Sequence, residues 1–315
     1  MTTFQTAPEQ RPAKKNPFSK AFRGLLRHDL WNIGIINQHI SSLLISGAEP
    51  TIQWLPRPEP AKYLADPFAV IRDQTVYIFC EEFDYRASKG RIVCIELADA
   101  TPSKPSVVLD LAVHLSYPYL IEYGGEVYCI PETHMAREIA LYKADAFPLG
   151  WTKIRTLVNN FDGVDPTVFQ HEGRWWLASS SPGDARLFIW HSSSLFGPWQ
   201  QHAANPVKVD IRSSRPAGTP FTHNDELFRP AQDCSKSYGE RVIINRVTKL
   251  TPTEFVEESA VVVEPFRESP YPKGIHTISG LKDLTLIDGK GFRFDQDALR
   301  YNLRRKFLRP LVDIP

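Results

Sequence analysis

Asp66 and Asp165 each stand directly before a proline, as do Arg215 and Arg229, and Glu132 follows closely on the apolar run from Val127 to Ile130. These residue types support two kinds of chemistry. Carboxylates can divide the work of general acid and general base when their surroundings push their pKa values apart. Arginines hold carboxylate, phosphate or diphosphate through the two-pronged fork of the guanidinium group. Gln232 and Asp233 lie close to Arg229 in sequence, so Arg215, Arg229 and Asp233 read either as an anion-binding group or as an Arg–Asp network that braces the fold. Glu132 is either functional or paired with an arginine, because an unpaired buried charge is costly. An Asp-Pro step can also do no more than cap a turn and begin a strand.

The elements that must position these groups repeat. Asp66-Pro67, Tyr117-Pro118, Asp165-Pro166 and Arg215-Pro216 are separated by 51, 48 and 50 positions, and in the first three units an aromatic residue (Tyr77, Tyr128, Trp176) stands ten positions after the proline. A period near fifty is in the range of propeller blades and solenoid units. Each unit reads as β structure. Phe68 to Ile71 leads through Arg72-Asp73-Gln74 into Val76 to Cys80, and Tyr119 to Ile121 leads through Gly124-Gly125 into Val127 to Ile130. Short β-branched and aromatic runs bounded by Gly or polar pairs are hairpins. Three to four antiparallel strands per repeat predict an all-β, five-bladed β-propeller, because radial packing leaves only short sheet edges.

The units predicted are blade one at about 61–111, blade two at 112–158, blade three at 159–208, a fourth from Ser213 and a shorter fifth around 274–289. The fifth is completed by residues near Trp31 to Ile52, so that strands from both ends close the ring. Blade four breaks the pattern, with polar side chains replacing apolar ones over Leu227 to Cys234, and such a break marks a functional region. A polar and basic tail with a short helix is predicted over 1–28, the propeller over 29–292, and a C-terminal helix, Asp295 to Phe307, with a tail over 293–315.

Of 315 residues, 37 are basic and 36 acidic, a net charge of +1 that gives no field for nucleic acid. Cys80, Cys94, Cys129 and Cys234 lack metal-ligand spacing and read as reduced thiols. Met1 to Arg27 contains no apolar signal core and no run of eighteen apolar residues occurs, which predicts a cytoplasmic protein. Phe18, Phe22, Leu25 and Leu26, set beside basic residues, form either a short helix over one end of the propeller or an interfacial helix on anionic lipid, so membrane contact is at most peripheral. No cofactor motif is present. No compact metal spacing occurs among the histidines, and no metal is predicted; His114, His134, His223 and His276 lie near blade ends and can meet at the axis. Tyr117, Tyr119, Trp175 and Trp176 can stack on sugar faces or fill the spaces between blades.

Taken together, Leu64-Ala65-Asp66-Pro67-Phe68, His114-Leu115-Ser116-Tyr117-Pro118, Ile130-Pro131-Glu132-Thr133, Ser214 to Gly218 and Arg229 to Cys234 resemble the five-bladed family 43 glycoside hydrolases. The likeness is closer to the family 43-like N-terminal domain of plant glucosamine inositolphosphorylceramide transferases and their bacterial relatives, and covers about Trp54 to Gly289. The resemblance implies an axial pocket in which one carboxylate activates water, a second protonates the leaving oxygen and a third orients or tunes. By motif Asp66 matches the base and Asp165 the orienting group. The Glu-Gly-Pro step that would bring the acid is absent, with Arg215-Pro216 in that part of the repeat, which leaves Glu132 or Asp233 as substitutes. Substrate contacts are expected from Arg215, Arg229, Asp233, Tyr117 and His114. The ligand implied is a glycoside or nucleotide-sugar, with an anionic sugar favoured by the arginines. Two readings stand: an enzyme acting on a glycoside or activated sugar in polysaccharide or glycolipid metabolism, or a non-catalytic propeller that binds sugar or a partner glycosyltransferase.

Overall fold

A computed structural model describes residues 27–183, 185–294 and 296–307. Five antiparallel sheets stand around an axis. Blade I contains Lys62–Arg72, Thr75–Asp84 and Lys89–Ala98, edged by Thr101–Pro102 and Ser106–Leu109. Blade II contains Ser116–Tyr123, Glu126–Glu132, Glu138–Ala146 and Gly150–Asn159, and blade III contains Val164–His171, Arg174–Ser180 and Arg186–Ser192 with two short outer strands. Blade IV contains Phe221–His223, Glu226–Asp233, Arg241–Leu250 and Phe255–Val263.

Blade V draws on both ends of the chain. Ile278–Leu281 and Leu284–Phe294 come from the C-terminal side, and Arg27–Ile36 supplies the third strand in an unbroken register from Arg27 opposite Phe294 to Ile36 opposite Thr285. Gln53–Trp54 adds the fourth. The closing strand therefore begins at Arg27, slightly earlier than the sequence suggests. The helix expected near the C-terminus spans Gln296–Phe307, whereas the helix expected before Arg27 lies outside the described residues.

The repeated Xaa-Pro step has one geometry in blades I to III. Proline has no N–H to give to a ladder, so the pairing skips two residues between Ala65 and Phe68, between Ser116 and Tyr119, and between Val164 and Thr167. Asp66, Tyr117 and Asp165 adopt left-handed backbone at φ 53°, 45° and 50°. Such a conformation is strained for a residue with a side chain, and here the surrounding ladder holds it in place. In blade IV, Arg215-Pro216 lies outside the strands, tied by an isolated bridge from Pro216 to Ala231.

Between the blades the packing is aromatic and aliphatic. Phe68, Tyr117, Tyr119, Ile130, Trp175 and Leu177 share one cluster between blades I, II and III. Each such side chain contributes on the order of 1.5–3 kcal/mol when fully buried. Cys80, Cys94 and Cys129 are buried in these strands and Cys234 is half-buried, all as free thiols. Among the described residues no helix is long and apolar enough to cross a membrane.

Candidate functional site

One end of the axis opens into a cavity of about 230 Å³. Blade I gives it Asp66 and Glu81, blade II His114, Glu132 and His134, and blade IV Arg215 and Tyr238. Aromatic rings from Trp31, Tyr63 and Phe83 line the walls. Tyr301 and Asn302 of the C-terminal helix also border it. Tyr301 packs edge-on against Tyr85 with ring centroids 4.9 Å apart, and Asn302 donates to the Arg27 carbonyl at 3.1 Å.

Asp66 is buried and accepts hydrogen bonds from Thr277 Oγ1 at 2.6 Å and from Tyr117 N at 3.3 Å. His276 lies between it and Asp288, with Nε2 3.4 Å from Asp66 Oδ1 and Nδ1 2.6 Å from Asp288 Oδ2. Asp288 is fixed by the backbone N–H groups of Asp66, His276 and Thr277. Burial lowers the His276 pKa, but Asp288 and Asp66 outweigh it and the net shift is upward. Burial raises the Asp66 pKa, and the charge of His276 opposes the rise. The ligand atoms of Asp66, His276 and Asp288 lie within 4.8 Å of one another, a spacing that suits a metal ion. The two flanking carboxylates favour the charged form of the His276 imidazole.

The second group is built on Arg215. Its guanidinium pairs with Asp165 through Nε and through one terminal nitrogen at 3.4 Å, and approaches Glu132 at 3.9 Å. Gln232 Nε2 adds a bond to Asp165 at 2.9 Å. Glu132 also faces His134 Nδ1 at 2.9 Å and accepts from Asp165 N at 3.0 Å. Glu132 and Asp165 share one guanidinium, and their pKa values diverge. For Glu132 burial is outweighed by the His134 hydrogen bond and by the charges of Arg215 and His134, which hold it down at about 2. For Asp165 burial prevails over Arg215 and pushes it up to about 7.

Several expectations change here. Asp66, Glu132, Arg215 and His114 meet at the cavity, with Asp165 buried behind Arg215. The Arg215 and His134 contacts favour the charged form of Glu132, which suits a second carboxylate better than a proton donor. Arg229 and Asp233 do not line the cavity. Arg229 pairs with Glu257 at 2.6 Å and donates to the Ser213 carbonyl, and Asp233 pairs with Arg241 at 2.9 Å, so both brace blade IV and are not ligand contacts. Tyr117 is fully buried, with its hydroxyl 2.8 Å from Thr167 Oγ1 and accepting from Gly218 N at 2.7 Å, so it locks blades together and has no face for a sugar. His223 lies in the blade IV hairpin and is not among the cavity residues.

Glu81, Asp288 and Tyr238 were not singled out from the sequence as site residues, whereas His276 was expected near the axis. For Glu81 a signal existed: it follows Pro67 by the same fourteen positions that separate Glu132 from Pro118. The two are equivalent in space, opposite Ala65 and Ser116, the residues just before the Xaa-Pro steps.

A ring of five four- to five-stranded blades with carboxylates gathered at one end of its axis makes this a five-bladed β-propeller. Residues 51–286 match the family described as glucosamine inositolphosphorylceramide transferase 1, N-terminal, and the chain belongs to that family. Glucosamine inositolphosphorylceramide transferase 1 of Arabidopsis thaliana is 34% identical over 233 residues, 71% of this chain and 30% of that protein. The protein of the same name from Oryza sativa subsp. japonica is 36% identical over 208 residues, 63% of this chain and 28% of that one. The match thus spans less than a third of the length of either plant protein. Among solved structures, Zg3597, a family 117 glycoside hydrolase from Zobellia galactanivorans, aligns with a TM-score of 0.51 at 13% identity, over 73% of this chain and 85% of its own. The catalytic domain of the Coprinopsis cinerea family 62 α-L-arabinofuranosidase aligns with a TM-score of 0.51 at 14% identity, over 74% and 93%. At these identities the likeness concerns the fold.

Proposed function

We propose that the axial cavity receives a single sugar residue of a glycoside or activated sugar, and that the chain acts on it in glycolipid or polysaccharide metabolism. The observation that carries this reading is Asp66, a buried carboxylate held by the Thr277 hydroxyl and the Tyr117 N–H at the floor of an aromatic-walled cavity. Two donors aimed at one carboxylate favour its charged form, and burial brings its pKa nearer to the operating pH, which suits a general base. Glu132 and Asp165 serve the site by fixing Arg215. Because both carboxylates engage that guanidinium, an anionic sugar finds it already committed, and the reading turns toward a neutral or amine-bearing sugar.

A second reading is a sugar-binding domain that serves a glycosyltransferase partner. It is favoured by the extent of the match, 28–30% of the plant transferases. Calorimetric titration of wild type and Asp66→Asn with nucleotide-sugars, glucosamine, uronic acids and pentosides, followed by product analysis, separates the two. Turnover lost in Asp66→Asn with binding retained supports the enzyme. Equal binding by both proteins with no product from any ligand supports the binding domain.

A further inference from the structure

We infer that Glu81 is the proton donor of this site, filling the role for which the repeat offers no Glu-Gly-Pro step. The inference rests on the enzymatic reading above. Glu81 lies in the buried part of the second strand of blade I, paired with Ala65 and so beside Asp66 on the neighbouring strand, and both residues line one cavity. Only 4% of Glu81 is exposed, yet Oε1 has no hydrogen-bond partner. A buried acceptor left unmatched is expensive, and protonation relieves that expense.

The groups around Glu81 are consistent with a neutral carboxyl. His114 Nε2 lies 3.5 Å from Oε1, and His114 Nδ1 accepts the Gly90 N–H at 2.9 Å. An accepting Nδ1 carries a lone pair, so the ring is neutral with its proton on Nε2, toward Glu81. Burial lowers the His114 pKa, in keeping with that form. The Tyr63 hydrogen bond to the Glu81 carboxyl acts the other way, lowering its pKa, and is outweighed. Gly90 keeps the space open, since a Cβ there would come within 2.4 Å of Glu81 Oε1 and 2.5 Å of the Leu115 carbonyl. Burial first, and then the charges of Asp66 and Glu132, push the Glu81 pKa well up. Two adjoining carboxyls are thereby split into an acid and a base.

In the step this permits, Glu81 gives its proton to the glycosidic oxygen as the bond from that oxygen to the anomeric carbon breaks. A water oxygen bonds to the same carbon while its proton passes to Asp66. Asp66 then releases one proton to solvent and Glu81 takes one up. An acceptor hydroxyl in place of water gives transfer with the same balance.

The test compares wild type, Glu81→Gln and Asp66→Asn on phenyl and 2,4-dinitrophenyl glycosides of xylose, arabinofuranose, galactose and glucosamine, together with infrared difference spectra of wild type minus Glu81→Gln. Turnover of phenyl glycosides should fall about 10²–10⁴-fold in Glu81→Gln, whereas the dinitrophenyl compounds, whose leaving group needs no proton, should fall less than about tenfold. Asp66→Asn should lose both. The difference spectrum at pH 7 should contain a protonated carboxyl band. Equal loss on both leaving groups, or an ionised Glu81 in an enzyme that turns over, overturns the donor assignment while leaving the enzymatic reading standing. No turnover of any glycoside by wild type, with Glu81 protonated, sinks the enzymatic reading and the donor assignment with it.

Discussion

Asp165 and Arg215 occupy the same place in successive repeat units, each directly before a proline, and in the folded ring they meet as an ion pair beside the axis. The repeat thus puts opposite charges at equivalent positions of neighbouring blades. Buried as the pair is, removing one partner leaves the other without compensation. Arg215→Ala is expected to lower stability by about 3–5 kcal/mol in urea unfolding at neutral pH. A loss below about 1 kcal/mol would mean that the pair is solvated, as surface pairs are.

Glu132 makes the opposite prediction on the acid side. Its folded pKa of about 2 lies below the ordinary 4.5, so its contribution is complete above pH 4.5 and disappears as pH falls toward 2. Glu132→Gln should therefore be less stable than wild type by about 3 kcal/mol at pH 7, with the gap closing on acidification. A pH-independent gap would show that lost packing, not charge, is responsible.

For Glu81 the sign reverses. Its folded pKa is raised above 4.5, so the folded state binds the proton more tightly than the unfolded one. Stability is fully present below pH 4.5 and is lost as pH rises toward the folded value. Glu81→Gln removes that loss, and its unfolding midpoint should gain on wild type over this window. Parallel curves for the two proteins would contradict the raised value.

Arg229 separates bracing from binding. Its partner Glu257 is nearly buried, and after burial the charges of Arg229 and Lys208 hold its pKa down. Arg229→Met should lose about 3 kcal/mol of stability. Its affinity for any sugar that wild type binds should change by less than about twofold, because Arg229 does not line the cavity. A tenfold loss of affinity in a folded variant would return Arg229 to the site.

Gly218 admits no side chain. Its φ is 118°, its N–H donates to the Tyr117 hydroxyl, and a Cβ would come within 1.8 Å of the Ile278 carbonyl oxygen. Gly218→Ala combines strain with a clash and should reduce stability by more than about 3 kcal/mol, measurable as a fall in the thermal midpoint. An unchanged midpoint would mean that the contact between blades II, IV and V yields easily.

The ring was legible in the sequence because it is written locally. Each Xaa-Pro step and the aromatic residue ten positions on lie within one hairpin, and pleat and turn chemistry specify that hairpin without reference to the rest. Pairings across the axis have no such local signature. Arg215 reads as an anion clamp until Asp165, fifty residues earlier, is placed beside it, and Arg229 reads the same way until Glu257 arrives from the outer strand of blade IV. Glu81 carried a positional clue in its match to Glu132, but the charge state of each follows from its surroundings: His134 and Arg215 for one, burial beside Asp66 and Glu132 for the other. Asp288 was hardest to place, because it belongs to the blade whose strands are gathered from distant parts of the chain.

That last blade also sets a timetable. Arg27–Ile36 cannot pair until Leu284–Phe294 has been made, and at cellular synthesis rates of about 5–20 residues per second the wait is roughly 10–50 s. Through that interval Leu30, Ile33 and Ile35, buried in the finished ring, lack the C-terminal strand that covers them. Assembly is therefore a race between translation and misassociation, and slowing the ribosome anywhere between these two segments should lower the yield of native protein without altering a single native contact.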